Sequence, residues 1–174
     1  MRIQEIIVSL CLLALMGCAH TPATRLIAMP NGLPPLDLDN AIYEVPVNPG
    51  LSHQDVVDSL KSVSQGMNFV TAANFNIAEQ IKKRDIDPQG VKEVYAICNL
   101  SMGIEIMLDH PEFIVFAPCR LALYEKQGKL TLGLDRPTFD LKNIKNPSDR
   151  AKRSAQELED ALIRLMEKAS KGDI

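Results

Sequence analysis

An apolar run near the start of the chain decides which residues are free to fold. Ile6 to Met16 are apolar except for Ser9, and the run follows the positive charge of Arg2. A helix that crosses a bilayer needs about 20 such residues, so this run is too short to span. Its length and its flank fit the apolar core of a secretory signal. On this reading residues 1–17 are removed, and the rest is still long enough for one domain with a buried core.

The run closes on Leu15-Met16-Gly17-Cys18. This resembles the lipobox of bacterial lipoprotein signals: an aliphatic residue, a tolerant position, a small residue, then cysteine. The small Gly17 lets a signal peptidase close around the bond to Cys18. The resemblance implies lipidation of the Cys18 thiol, and further acylation of the palmitate kind. Two or more chains hold a protein on a membrane stably, whereas one does not. Ala19 follows, not the Asp that commonly keeps lipoproteins at an inner membrane. The expected location is the cell envelope, on the periplasmic face of the outer membrane if the host is Gram-negative.

Residues 18–40 read as a lipidated cysteine and a tether. Pro22, Pro30, Pro34, Pro35 and the Asn31-Gly32 pair interrupt any regular pattern, because proline removes backbone donors. The folded domain is expected over 41–174. Aromatic residues make up 5% of the chain, with no Trp, so aliphatic side chains must fill its core. The net charge of −3 offers no electrostatic footprint for nucleic acid.

Period-two and helical spacings then alternate along the domain. Ile42, Tyr43, Val45 and Val47 predict a strand, with Pro46 placing it at an edge. Ser52 and Asp55 form a capping box ahead of a helix through Val56, Val57, Leu60 and Val63, with Gly66 at its C′ position. Met67–Ala72 predict a strand, and Asn76 with Glu79 caps a short helix through Arg84. A turn at 87–90 precedes a strand over Glu93–Cys98. There Val94, Ala96 and Cys98 share one face, and Tyr95 and Ile97 the other. Asn99 caps a helix whose Leu100, Ile104, Met107 and Leu108 make one apolar face. Phe113–Phe116 predict a strand, as do Leu121–Glu125 and Leu130–Leu134. The last helix opens at 146–148 with a stripe through Ala151, Ala155, Leu158, Leu162, Leu165, Met166 and Ala169. The expected fold is α+β: a single compact domain, one mixed sheet with helices mainly on one face, a two-layer sandwich.

Of four cysteines, Cys11 leaves with the signal and Cys18 takes the lipid. Cys98 and Cys119 remain. Strand 93–98, helix 100–110 and strand 112–117 read as a βαβ unit, with parallel strands and both cysteines near the carboxyl end of the sheet. In an oxidising compartment the pair reads first as structural, either a disulfide or packed thiols. It reads second as a redox or sulfur-transfer pair, since Cys98 precedes a helix N-terminus that would stabilise a thiolate. Asn99 and Pro118 are the neighbours a ligand there would meet. Zinc is a weaker reading for two cysteines without a third ligand. His20, His53 and His110 read as exposed and incidental. There is no Gly-rich phosphate loop, Gly-x-Ser-x-Gly elbow or His-Glu-x-x-His. No catalytic set, metal site or cofactor is assigned.

Two patterns carry a family resemblance: Cys98-Asn99-Leu100, and Ala117-Pro118-Cys119 followed by Leu121, Leu123, Tyr124 and Glu125. They resemble the family called domain of unknown function 302, over about residues 41 to 168, a likeness that also includes the helix ending in Gly66 and the Met67-Asn68-Phe69-Val70 that follows it. Leu100 stands where the family often has Pro, and Ala117 where it has Leu. The resemblance implies a compact α/β sandwich, often a homodimer, and no established activity. The expectation is a membrane-anchored binding module for a small ligand or an envelope protein, not an enzyme. The alternative is a thiol-dependent redox or sulfur-handling protein using Cys98 and Cys119.

Overall fold

The chain enters as a small hairpin, β1 (Leu26–Ile27) antiparallel to β2 (Leu36–Asp37). The computed structural model describes residues 24–174. The export segment, the Gly17–Cys18 bond and His20 lie outside the described residues. Next come β3 (Ile42–Pro46), helix α1 (His53–Gly66), β4 (Val70–Asn76), the short α2 (Ile77–Lys82) and β5 (Lys92–Cys98). Then follow α3 (Leu100–Met107), β6 (Cys119–Lys126), β7 (Lys129–Asp135), one turn of helix α4 (Pro137–Asp140) and the long α5 (Asp149–Lys171).

The five long strands pair in the order β3–β7–β6–β5–β4, antiparallel throughout. Alternation sorts their side chains cleanly. Tyr43, Val45, Tyr95, Ile97, Leu121, Leu123, Leu132 and Leu134 are all buried on one face; α1 and α5 cover it, and α3 packs on α5. The architecture is the expected α+β two-layer domain. The anticipated edge strand is β3, and the stripe of α5 from Ala151 to Ala169 is buried at every anticipated position. The Ser52–Asp55 capping box forms as read.

Four local expectations change. The segment Pro111–Phe116 is a 3-10 helix and not a strand, so β5 and β6 are antiparallel neighbours and the sheet is not mixed. The reason is one of reach. The eight residues of α3 advance about 12 Å at 1.5 Å each, and six 3-10 residues return about the same distance at 2.0 Å each. The chain therefore starts β6 at the end where β5 stopped. Second, α3 is turned relative to its expected face. It buries Gly103 and Ile106, while Leu100, Ile104 and Leu108 face outward. A helix apolar nearly all round carries no pattern that can fix its orientation. Third, Gly66 ends α1 as an ordinary helical residue. Asn68 takes the left-handed conformation instead, at φ 59°, and β4 starts only at Val70.

Fourth, residues 24–40 are not a free tether. Leu36 belongs to the core, and the Tyr43 hydroxyl donates to the Pro34 carbonyl at 2.7 Å. Arg136 does most of the fastening. Its Nη1 donates to the carbonyls of Asp37 (2.6 Å) and Asn40 (2.7 Å), and its Nε donates to Glu159 Oε1 on α5 at 2.9 Å. Both side chains of this ion pair are nearly inaccessible. The other Glu159 oxygen accepts from the Thr138 amide and hydroxyl, so neither buried charge is left unsatisfied.

Candidate functional site

A cleft of about 690 Å³ opens between α1 and strands β4 and β5. α1 presents His53, Val57, Leu60 and Ser64 to it, which is one helical face by spacing. β5 presents Glu93, Tyr95 and Ile97, its inward positions. β4 would give only alternate residues, but a bulge between Thr71 and Ala73 shifts its register. Thr71 and Asn74, three residues apart, therefore both reach the cleft. Phe69 closes the apolar end.

Glu93 is the anomaly of this wall, a carboxylate 7% exposed on a core-facing strand position. Buried charges persist only when paired or hydrogen-bonded. Its Oε2 accepts from the Tyr95 hydroxyl at 2.6 Å and its Oε1 from Asn76 Nδ2 at 2.8 Å. Asn76 is held in turn, since its Oδ1 caps α2 by accepting from the Glu79 amide at 2.9 Å. Burial first, and then the bond to Glu93, push the Tyr95 hydroxyl well above its ordinary range. Tyr95 therefore stays a donor. His53 Nε2 lies 3.1 Å from Glu93 Oε1. Its geometry is not that of a hydrogen bond, so this buried nitrogen has no hydrogen-bond partner. The buried hydroxyl of Ser64, on the same wall, also has none. Beyond Glu93 and His53 lies a second, more polar hollow of about 410 Å³, edged by Glu79, Asp87 and Glu125. The two residues form the partition between the hollows.

The expected site is elsewhere and has a different character. Cys98, Asn99, Pro118 and Cys119 do come together, around a pocket of only about 20 Å³, room for roughly one water. Cys119 stands opposite Ile97, one residue away from Cys98. The pleat sends neighbouring side chains to opposite faces, and both thiols are free. Burial raises the Cys98 thiol. Burial, with Cys98 and Asp140 nearby, pushes the Cys119 thiol up to about 12. The expected lowering by the helix terminus does not prevail. Asn99 is spent on capping α3, accepting from the Met102 amide at 3.2 Å. His110 is structural: its Nε2 accepts from the Ser148 amide at 2.9 Å, joining the end of α3 to the start of α5. Among the described residues, no three His, Cys, Asp or Glu side chains gather as a metal-binding group, and no helix is long and apolar enough to cross a membrane.

No motif in the sequence marks Glu93, Tyr95, Asn76 or Ser64 as site residues, and the place of His53 in the first turn of a helix makes it look incidental. A signal was present. In Glu93-x-Tyr95-x-Ile97 the alternation puts a carboxylate on the same face as a buried aromatic and a buried aliphatic residue. A buried polar group is the informative deviation in such a pattern.

Residues 43–169 match the family described as Domain of unknown function DUF302. Over 85 residues the chain is 32% identical to an uncharacterized protein of Aquifex aeolicus (strain VF5), covering 48% of this chain and 53% of the relative. The chain thus spans about half the length of the curated relative it matches. The fold is similar to the crystal structure of an uncharacterized conserved protein DUF302 from Bacillus stearothermophilus. The TM-score is 0.68 at 19% identity, with 74% of this chain and 98% of that one covered. At that identity the likeness speaks for the fold alone. The family match covers most of the chain, from β3 into α5, and on that ground the protein belongs to the DUF302 family.

Proposed function

We propose that the protein is a lipid-anchored envelope protein that captures a small ligand in the cleft between α1 and β4–β5. One observation carries the reading. An open, largely apolar hollow of ligand size is built around a buried carboxylate, with an unpartnered nitrogen and hydroxyl in its wall. Core packing alone does not explain groups left in that state, since buried polar atoms are normally satisfied. The anchor rests on the Leu15–Cys18 pattern. The thiol reading has the convergence of Cys98 and Cys119 in its favour. The raised thiols leave little thiolate to act as nucleophile, which favours the cleft.

The test uses the full chain in phosphatidylcholine nanodiscs and 4-phenylbutanol as a neutral probe. Backbone hydrogen exchange should slow in segments 53–66 and 70–76 as the probe is added. That protection should vanish in Val57→Trp, which fills the cleft. Unchanged exchange at millimolar probe overturns the proposal. Intact mass of the envelope-bound protein checks the anchor, and a chain with an unmodified Cys18 would refute it.

A further inference from the structure

We infer that the cleft selects a small amphiphile with a cationic head, of the aryl-alkyl amine class, with the ammonium seated at Glu93; this rests on the cleft being a ligand site. The apolar body would lie along Val57, Leu60 and Phe69. The face of α1 from His53 to Gln65 runs about 18 Å at 1.5 Å per residue, length enough for a six-membered ring on a short chain.

The head group follows from what the inner end of the cleft can accept. Glu93 has two oxygens and about four acceptor sites, and Tyr95 and Asn76 each use one. His53 Nε2 lies 3.1 Å from Glu93 Oε1 without the geometry of a hydrogen bond; with the ring proton on Nδ1 two acceptors face each other there, and a donor placed between them satisfies both. An ammonium brings three donors to these acceptors, and charge-assisted bonds are about twice as strong as neutral ones. A neutral hydroxyl brings one donor. A carboxylate head would lose its hydration beside another buried carboxylate. The hollow behind the partition adds to the bias. Its edge carries Glu79, Asp87 and Glu125 against Lys82 and Lys92, and Lys92 Nζ is already bound to the Pro88 and Gln89 carbonyls. At the other end, Lys61 stands about two turns of α1 from His53 and also lines the cleft. The cleft thus has a polarity, with its negative end at Glu93.

The experiment compares three probes of one shape on the full chain in phosphatidylcholine nanodiscs, with affinities read from exchange protection in 53–66 and 70–76. The probes are 4-phenylbutylamine, 4-phenylbutanol and 4-phenylbutanoate. The amine should bind about tenfold or more tighter than the alcohol, and the carboxylate weakest. In Glu93→Gln the amine should fall to about the level of the alcohol, whose own affinity should fall far less than the amine's. Unchanged exchange in α5 shows that this variant is folded; if it is not, the order of the three probes on the natural chain decides alone. Equal affinities, a preferred carboxylate, or an amine preference that survives in folded Glu93→Gln overturns the cationic head while leaving the cleft as a ligand site. Absence of protection by all three overturns both readings.

Discussion

The two ends of β5 hold the molecule's two candidate sites, and they are opposites. At its start, Glu93 and Tyr95 face a hollow of about 690 Å³ with unpartnered polar atoms in its wall. At its end, Cys98 meets Cys119 around about 20 Å³, among side chains already employed in capping and packing. The cysteine end carries the two cysteine patterns that drew the resemblance; α1 and Phe69-Val70 share in it, but Glu93, Tyr95 and His53, the polar groups of the cleft, do not. A pattern of residues can mark the place where a fold is knitted tightest. Room for chemistry has to be read from a polar group out of place.

If that contrast is right, the cysteine end should resist change. The buried Arg136–Glu159 pair adjoins it, each residue next in the chain to one that lines the pocket, Pro137 and Leu158. Glu159→Gln should destabilise the chain by about 3 kcal/mol, because it leaves a buried guanidinium without its counter-charge. Urea unfolding measures this, and a loss below about 1 kcal/mol would mean the end is far looser than its burial implies. The thiols give a second measure. In the folded chain Cys119 should react with a maleimide about a hundredfold or more slower than in the urea-unfolded chain, with Cys98 intermediate. A fast Cys119, or a bond between the two that opens and closes at a mild potential, would restore the redox reading and reverse the comparison.

The smallest effect concerns Asp140, which lines the same tight pocket. Burial, then the nearby Asp135 charge, raise its carboxyl from the ordinary 3.8 to about 6. Between those values the folded state holds the proton that the unfolded state has released. Stability contributed by this group is present below pH 3.8 and is lost as pH rises towards 6. Asp140→Asn should therefore raise the urea midpoint slightly at pH 7 and leave it unchanged near pH 3.5. An unchanged midpoint at both pH values would show that the pocket leaves the carboxyl solvated.

Much of the fold was legible because most elements have one polar side. β3 and α5 have two-sided patterns, and each buries the side its spacing indicates; β5 is apolar on both faces, and its alternation does not say which one turns inward. In α3, with Leu100, Ile104 and Leu108 on one flank and Ile106 on another, either orientation satisfies the pattern, and contact with α5 decides. Phe113–Phe116 has strand composition, yet Pro111 and the need to return to the start of β6 make it a 3-10 turn. Residues 24–40 read as linker from their prolines, because the Arg136 side chain that fastens them lies about a hundred residues away. The cleft was hidden for a similar reason. Glu93, Asn76 and His53 come from three elements: the register of β4 against β5 sets Asn76 beside Glu93, and the packing of α1 brings His53 to them.

The fastening by Arg136 bears on how the domain is carried. On the proposed attachment at Cys18, residues 19–23 are all that separate the lipid from the described, packed chain. Six residue steps span at most about 20 Å when fully extended. The pivot then sits at the hairpin and not at residue 40, so the domain is kept within one protein diameter of the bilayer. Lengthening the segment after Cys18 would change what the cleft can meet without altering a single contact inside it.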